Sequence, residues 1–290
     1  MSDRVVYQQL NKDHAYWSEK RRVGQLKGGN TAGLLTHFRG DEAVAAILFD
    51  AGLGTIDGLH DLQRFDWQWP LTAFITHGHP DHHLELMILS EIWCKRQTAS
   101  RRDALAIHCT QTTYSSWLEP VHKWGFTGGK TLIHKPITVG SPEHAGIFTV
   151  HAIDVDHFPG SVIYVVEFGE SERHRVVIGW DMKTLPDPDQ HPILKNPSLA
   201  LLEANTWNAL SAKTGHTSVE ELASTGFLSK LGASVGQHRY GLFLVHYGGG
   251  EDPGGMLTDA QLLSKFQATY GHLASVVGVA SRGQSWVFPL

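Results

Sequence analysis

Cysteine is scarce in this sequence, whose 290 residues include only Cys94 and Cys109. Two cysteines are too few for a disulfide framework, and they suit a reducing compartment. No apolar run approaches the roughly 20 residues that a membrane-spanning helix requires. The start of the chain, Met1–Arg4, also lacks the apolar core of a signal peptide. These absences predict a cytoplasmic protein that is not inserted in a membrane.

An excess of positive charge is also absent. The chain carries 24 Lys and Arg against 29 Asp and Glu, a formal net charge of −5, which argues against a dedicated nucleic-acid-binding protein. The glycine-rich loop Gly248–Gly255 has no Gly-Lys-Ser/Thr, so it is not a nucleotide P-loop. Its backbone N–H groups could still approach an anionic substrate, and a plain surface loop is the equal alternative.

No linker, repeat or low-complexity segment divides the chain. A length of 290 residues with 41% hydrophobic residues can bury one large core or two small ones, and we expect a single domain over residues 1–290. Residues 110–145 are aromatic and irregular, and they predict an insertion that either covers a substrate or only packs. Residues 1–30 are polar and mixed, and Trp286–Phe288 should pack at the periphery.

The most informative stretch is residues 76–83, Thr-His-Gly-His-Pro-Asp-His-His, which we call the histidine turn. It lies between an apolar run that predicts a buried strand and a segment that predicts a helix. Two histidines one residue apart at a strand end can face a common ion, and the intervening glycine permits a tight turn. Imidazole and carboxylate donors suit zinc, manganese or iron. The candidate ligands in the turn are His77, His79, Asp81 and His82.

Polar residues also follow other predicted strands, where α/β proteins place functional loops. Asp50 ends one of these strands, and we expect it to brace the histidine turn through hydrogen bonds. From the residues alone, three histidines stay open as a further ligand: His151, His157 and His174. Later strand ends and one helix start carry Asp181, Glu203, His216 and His246.

The pattern H-x-H-x-D-H over His77–His82 resembles the signature of the metallo-β-lactamase superfamily, and the resemblance extends from Asp50 to His246. It implies an α/β fold, the four-layer αββα sandwich. It favours His157, which precedes a Gly/Ser turn, as the third histidine ligand. It also implies two divalent metal ions, one held by His77, His79 and His157, the other by Asp81, His82 and His246, with Asp181 as the bridge. Trp180 separates Gly179 from Asp181, where the superfamily usually has a Gly-Asp pair.

This constellation predicts a dinuclear metal-dependent hydrolase with zinc, manganese or iron. Two cations that share a water molecule lower its pKa and supply a bridging hydroxide, which Asp81 could orient. The pair Glu203 and His216 resembles the proton-donating pair of tRNA 3′-processing endonucleases and related phosphodiesterases, and a carboxylate can orient an imidazolium acid. We therefore expect a phosphodiesterase that acts on a small anionic phosphodiester.

Other functions stay open at this point. A lactone or thioester hydrolase of the same fold would not need Glu203 and His216, because its leaving group departs more easily. An RNA-processing nuclease or RNA-binding factor could use the basic pairs Lys95–Arg96 and Arg101–Arg102. Against a tRNA-processing enzyme, Tyr247–Gly250 replaces the Phe-Ser-x-Arg-Tyr type of segment. A metal-stabilised scaffold is a further alternative, and a homodimer is compatible with the sequence.

Overall fold

The structure is a computed structural model that describes residues 3–11, 31–62, 65–96, 104–123, 131–248, 252, 255 and 257–290. The predicted basic contact Arg101–Arg102 and most of the loop Gly248–Gly255 lie outside these residues. Over the described ranges, none of the helices combines the length and apolar character that crossing a membrane requires.

The described residues form two β-sheets and a set of mostly short helices. The strands are β1 (Arg4–Asn11), β2 (Ala32–Arg39), β3 (Glu42–Phe49), β4 (Leu71–Phe74), β5 (Leu105–Cys109), β6 (Leu132–Pro136), β7 (Glu143–Ala145), β8 (Phe148–Asp154), β9 (Val162–Phe168), β10 (His174–Gly179), β11 (Leu199–Glu203), β12 (Val235–Gly236), β13 (Arg239–Val245), β14 (Val277–Val279) and β15 (Ser285–Pro289). The helices are α1 (Thr55–Asp61), α2 (Pro80–His83), α3 (Leu86–Arg96), α4 (Gln111–Thr113), α5 (Glu119–His122), α6 (Ser211–Thr214), α7 (Val219–Ser224), α8 (Phe227–Leu231) and α9 (Asp259–Tyr270). A π-helical turn, Tyr114–Leu118, joins α4 to α5.

The two sheets pack face to face. The first has the order β15-β1-β2-β3-β4-β5-β6, and the second has the order β12-β13-β11-β10-β9-β8-β7, with β14 beside β13. A hydrophobic core of residues from both sheets, such as Phe49 and Tyr164, lies between them. Two further clusters cover the outer faces, one against α3 and one against α7, α8 and α9. This is the predicted four-layer αββα sandwich.

Strand β9 shows why the inner strands of this fold read as continuous apolar runs. Its sequence is Val-Ile-Tyr-Val-Val-Glu-Phe. Successive side chains point to opposite faces of a sheet, so Val162, Tyr164 and Val166 enter the core between the sheets. Ile163 and Val165 enter the outer cluster. A strand that is covered on both faces therefore needs apolar residues at nearly every position.

The ends of the chain differ from the sequence-based expectation. The polar N-terminal segment contributes β1, which pairs with β15 on one side and β2 on the other. The expectation that Trp286–Phe288 packs at the periphery is wrong, because Trp286 and Phe288 are buried in the core between the sheets. Strand β15 alternates buried and exposed residues, so its pairing with β1 turns one face inward.

Two internal segments also differ from the expected elements. Residues 110–145 are not simply irregular, since they include the helical segment Gln111–His122 and strands β6 and β7. The helix that the sequence predicts over residues 219–231 is divided into α7 and α8 near Thr225 and Gly226. The Ser218 side chain caps α7 and forms a capping box with Glu221.

Candidate metal centre

The candidate site lies where strands of both sheets end. The histidine turn follows β4 of the first sheet, and His157, Asp181 and His246 follow β8, β10 and β13 of the second. Two hydrogen bonds fix the sheets to each other there. Tyr164 Oη donates to the carbonyl of Ile75 at 2.8 Å, and Val162 N donates to the carbonyl of Thr76 at 3.0 Å. The site is therefore assembled from distant parts of the chain by the packing of the sheets.

The first group of donors surrounds His79. The Nδ1 atom of His79 lies 3.0 Å from Nε2 of His77 and 3.1 Å from Nε2 of His157. Asp181 Oδ2 is 3.6 Å from the Nε2 atoms of both His77 and His157. One ligand atom from each of these residues lies within 4.8 Å of the others. Three imidazoles and one carboxylate thus converge on a volume that one ion would fill.

The second group shares Asp181 with the first. Asp181 Oδ2 lies 3.3 Å from His82 Nε2, and Asp181 Oδ1 lies 3.1 Å from His246 Nε2. Asp81 Oδ2 completes the group at 3.6 Å from His82 Nε2. The ligand atoms of these four residues also lie within 4.8 Å of one another. Asp181 is therefore placed between two potential metal positions.

Three residues of this edge have left-handed backbone conformations. The φ angles are 55° at Asp50, 46° at Asp181 and 60° at His246. Residues other than glycine adopt this region rarely, and the cost is of order 1–3 kcal/mol for each one. The surrounding sheets impose these conformations, which direct each side chain out of its strand end.

Asp50 braces the histidine turn, as the sequence predicts. Its Oδ1 accepts a hydrogen bond from Thr76 N at 2.7 Å, and its Oδ2 accepts one from Thr76 Oγ1 at 2.7 Å. Oδ2 also accepts from Nδ1 of His82 at 2.6 Å. Burial raises the pKa of Asp50, and the neighbouring His82 opposes that rise. The hydrogen bond fixes the His82 ring with Nε2 directed at Asp181.

Two more imidazoles are oriented by partners that the sequence analysis did not identify. Nδ1 of His157 donates to the carbonyl of Gly215 at 2.8 Å, and Nδ1 of His246 lies 2.7 Å from Thr31 Oγ1. In both cases the Nε2 atom faces the site. A backbone carbonyl leaves no signal in sequence, and Thr31 is far from His246 along the chain.

The donors fit divalent metal ions. Within the described residues, His82 Nε2 and Asp181 Oδ1 are buried and make no hydrogen bond, which is costly unless another group compensates them. Burial lowers the pKa of His77 well below its ordinary value, and the charge of His82 lowers it further. Burial likewise lowers the pKa of His79, to about 4. His77 and His79 are therefore neutral imidazoles near pH 7, the form that binds a metal.

Glu203 and His216 form a buried pair beside Asp181. Glu203 Oε1 contacts His216 Nδ1, and Glu203 Oε2 accepts a hydrogen bond from Met182 N at 2.7 Å. Burial raises the pKa of Glu203 to about 7. Burial opposes the charged form of His216, but the Glu203 carboxylate outweighs it and raises the pKa of His216 to about 9. His216 Nδ1 lies 3.8 Å from Asp181 Oδ2, so a charged imidazole adjoins the donors.

The other two histidines that the sequence left open lie elsewhere. His151 Nε2 is 3.3 Å from Glu167 Oε2, in a contact between β8 and β9, and His174 Nδ1 is 3.3 Å from Ser198 Oγ. An aromatic pair adjoins the site, and one of its members, Trp117, belongs to the aromatic segment 110–145 that could cover a substrate. The Phe158 ring lies 4.3 Å from that of His79 and 4.8 Å from that of Trp117, centroid to centroid.

Comparisons with known structures agree with this architecture. The metallo-β-lactamase fold protein YhfI from Bacillus subtilis superimposes with a TM-score of 0.68 at 16% identity, covering 98% of this chain and 100% of the other. Human tRNase Z, short form, gives 0.66 at 17% identity, covering 98% and 100%. Yeast PDE1 gives 0.61 at 14% identity, covering 99% and 100%. At these identities the likeness establishes the fold.

Sequence comparison supplies the family. A search of curated protein sequences found no significant match. The sequence profile of the family described as "Beta-lactamase superfamily domain" matches residues 45–236, about two thirds of the chain, and these residues carry all the candidate donors except His246. The chain therefore belongs to the metallo-β-lactamase superfamily of metal-dependent hydrolases.

Proposed function

We propose that this protein is a dinuclear metal-dependent phosphodiesterase that cleaves a small anionic phosphodiester. The observation that carries the proposal is the buried pair Glu203–His216, whose imidazole lies 3.8 Å from the carboxylate of Asp181. An alkoxide is a poor leaving group at neutral pH, so diester cleavage gains from a positioned proton donor. The pair supplies one at the edge of the metal centre.

Seven residues would hold the metals. His77, His79 and His157 would bind one ion, Asp81, His82 and His246 the other, and Asp181 would bridge both. The set suits zinc, manganese or iron. Bound ions of this kind lower the pKa of a water molecule and neutralise the negative charge of phosphoryl oxygens.

The remaining steps are carried by protein side chains. Asp81 lies at the edge of the second group, and its carboxylate would accept a hydrogen bond from the attacking water and orient it. His216 would donate a proton to the leaving oxygen from Nε2, because Nδ1 is occupied by Glu203. Glu203 is in turn fixed by Met182 N, so the proton donor has a defined direction.

The principal alternative is a hydrolase of carbonyl esters such as lactones or thioesters. The structural neighbours include tRNase Z and PDE1, which supports phosphate ester chemistry in this fold. A thiolate or ring alkoxide leaves more easily than most alkoxides of diesters. The alternative therefore predicts little dependence on Glu203 and His216, and the two functions can be separated by experiment.

The test combines metal analysis with a substrate screen on one preparation. Substrates would be bis-p-nitrophenyl phosphate, a cyclic nucleotide, a lactone and a thioester, and the variants would be His216→Ala, Glu203→Gln and the exposed control His272→Ala. We expect diester turnover, close to two metals per chain, and a loss of about 10²–10⁴ in kcat on the cyclic nucleotide for the first two variants. Unchanged diester turnover in both would contradict the mechanism, and turnover of the lactone or thioester alone would favour the alternative.

A further inference from the structure

An aromatic pair borders the candidate metal centre beside His79. Trp117 and Phe158 contact each other with ring centroids 4.8 Å apart, at an interplanar angle of 54°. Phe158 also lies 4.3 Å from the ring of His79. The His157 ring contacts His79 at 4.9 Å and His216 at 4.7 Å. Successive ring contacts therefore connect Trp117 and Phe158, through His79 and His157, to His216.

Trp117 is exposed, whereas the residue that follows it in the chain is buried. Trp117 retains 38% of its accessible surface, whereas Leu118, the next residue, is buried in the outer cluster of the first sheet. The π-helical turn Tyr114–Leu118 carries both residues, and such turns are frequent at functional sites. The turn presents the indole ring to solvent beside the ligands rather than to the core.

Trp117 rests directly on the histidine turn. A Cβ atom on Gly78 would lie 2.3 Å from Trp117 Cγ, so only glycine leaves room for the indole between His77 and His79. Gly78 therefore has two roles: it permits the tight turn, and it lets the indole ring of Trp117 approach the backbone closely. This contact fixes the ring at a set distance from the first group of donors.

The helix that carries Trp117 is attached to the loop that carries Phe158. Thr110 Oγ1 and Thr113 Oγ1 both donate hydrogen bonds to the carbonyl of Gly160, at 2.9 and 3.1 Å. Ser161 Oγ accepts from Phe158 N at 3.1 Å. The two aromatic rings are therefore held on rigid neighbouring segments, which suits a surface that positions a ligand.

We propose that Trp117 and Phe158 form a stacking surface for a planar aromatic ring of the substrate, as in a nucleobase. This rests on the proposed function and deepens it, because the phosphodiester would then carry a nucleoside. Aromatic side chains bind bases through their faces with little dependence on base identity. A ring on this surface would place its attached phosphate over the donors, with the bond to the leaving group toward His216.

Equilibrium binding of two phosphomonoesters tests the stacking surface. Calorimetric titration of the metal-loaded protein would use adenosine 5′-monophosphate and, as a control without a ring, glycerol 3-phosphate. We expect Trp117→Ala to weaken adenosine monophosphate binding about tenfold or more and to change glycerol phosphate binding less than about twofold. Trp117→Phe should retain affinity within about threefold. Val121→Ala, an exposed apolar change on α5, should alter neither ligand.

A second variant, together with metal analysis, shows whether a loss of affinity comes from the missing ring or from a disturbed histidine turn. Phe158→Leu keeps an apolar side chain but removes the ring, and metal content would be measured for each variant. The stacking surface would be overturned if the affinity for both ligands fell by the same factor. It would also be overturned if neither Trp117→Ala nor Phe158→Leu weakened the binding of adenosine monophosphate. Ring-dependent binding without diester turnover would overturn only the phosphodiesterase. Diester turnover with ring-independent binding would overturn only the stacking surface.

Discussion

At the scale of single residues, hydrogen bonds on the outer side of the candidate metal centre decide which imidazole nitrogen faces its interior. His82 gives Nδ1 to Asp50, and His157 gives Nδ1 to Gly215, so Nε2 faces the site in each. Such outer partners orient a ligand and increase its basicity. The chemistry of the centre therefore depends on residues that would not contact metal.

Asp50→Asn tests this dependence. The amide oxygen can still accept from Thr76 N, but its NH₂ group would face Nδ1 of His82 and favour the tautomer with a proton on Nε2. We expect metal affinity of the second group to fall about 10–100-fold, measured by competition with a chromophoric chelator. Asp57→Asn, an exposed aspartate in the first turn of α1, is the control. Equal affinity in Asp50→Asn and the native protein would contradict the role of Asp50.

A second prediction concerns His108, which is outside the metal centre. Its ring stacks on Phe74 with centroids 4.4 Å apart, and burial lowers its pKa to about 4. As the pH falls from about 6.5 to about 4, the unfolded chain binds a proton that the folded chain does not, so stability decreases through this window. We expect His108 to lower the free energy of unfolding by about 1–2 kcal/mol over this window. This is less than its full pKa shift would give, because the ring is only partly buried and solvent screens its charge.

The measurement is urea unfolding of the metal-free protein at pH 7 and pH 5, native against His108→Phe, which preserves the stacked ring. The native protein should lose more stability than the variant between the two pH values. An identical pH dependence would show that His108 titrates normally in the folded state.

The sequence predicts these residues to very different degrees. The histidine turn is apparent because its four candidate ligands lie within six residues. His157 could be chosen over His151 and His174 only through the resemblance, because its partners lie on other strands and leave no local pattern. Thr31 and the carbonyl of Gly215 could not be identified, since their role exists only after the sheets pack.

At the scale of elements, the loop between β8 and β9 connects the candidate ligand His157 to the helical segment of Trp117. Gly160 in this loop has φ 86°, and a Cβ there would lie 2.6 Å from Thr110 Oγ1. Gly140 has a similar φ of 81° with no atom within 4 Å of such a Cβ. Substitution of these two glycines by alanine therefore distinguishes the cost of backbone strain from the cost of a steric clash.

We expect Gly140→Ala to cost about 1–2 kcal/mol of stability from left-handed strain alone. Gly160→Ala should cost the same strain plus the displacement of Thr110, and it should also lower metal content because His157 moves. Thermal unfolding and metal analysis of both variants would show this. Equal metal content and equal stability in the two variants would mean that the contact with Thr110 is not needed to position His157.

Elements were predictable where burial on both faces required long apolar runs, as in β9. They were not predictable where pairing alone decides, as in β1 and β15, whose alternating residues are compatible with exposed loops as well as edge strands. The division between α7 and α8 was also missed. The helical spacing of apolar residues continues across Gly226, but Gly226 has a left-handed backbone conformation that interrupts the helix.

At the scale of the whole molecule, the candidate metal centre would take its donors from both sheets. His77, His79, Asp81 and His82 follow the first sheet, whereas His157, Asp181 and His246 follow the second. We therefore propose that the chain unfolds as a single unit when metal is bound. An ion that binds only the folded state adds its binding free energy to stability.

Chelation should lower stability in a reversible way. With free metal at roughly 1,000 times its Kd, the contribution is about 4 kcal/mol, so removal should lower the Tm by several degrees. Differential scanning calorimetry before and after treatment with a chelator, and after metal is restored, measures this. The double variant His77→Ala and His246→Ala should show the lower Tm at all metal concentrations. A Tm unaffected by chelation would contradict metal binding by these donors.

The position of Asp181 between the two groups has a kinetic consequence as well. If metal is held as proposed, separation of the sheets would require that the ligands from β4 leave those from β8, β10 and β13, so unfolding and metal release would share one barrier. The lifetime of the folded chain would then follow the dissociation rate of its metals rather than its equilibrium stability. A slowly exchanging metal would make the same sequence long-lived under proteolysis, and a rapidly exchanging one would leave it open to degradation.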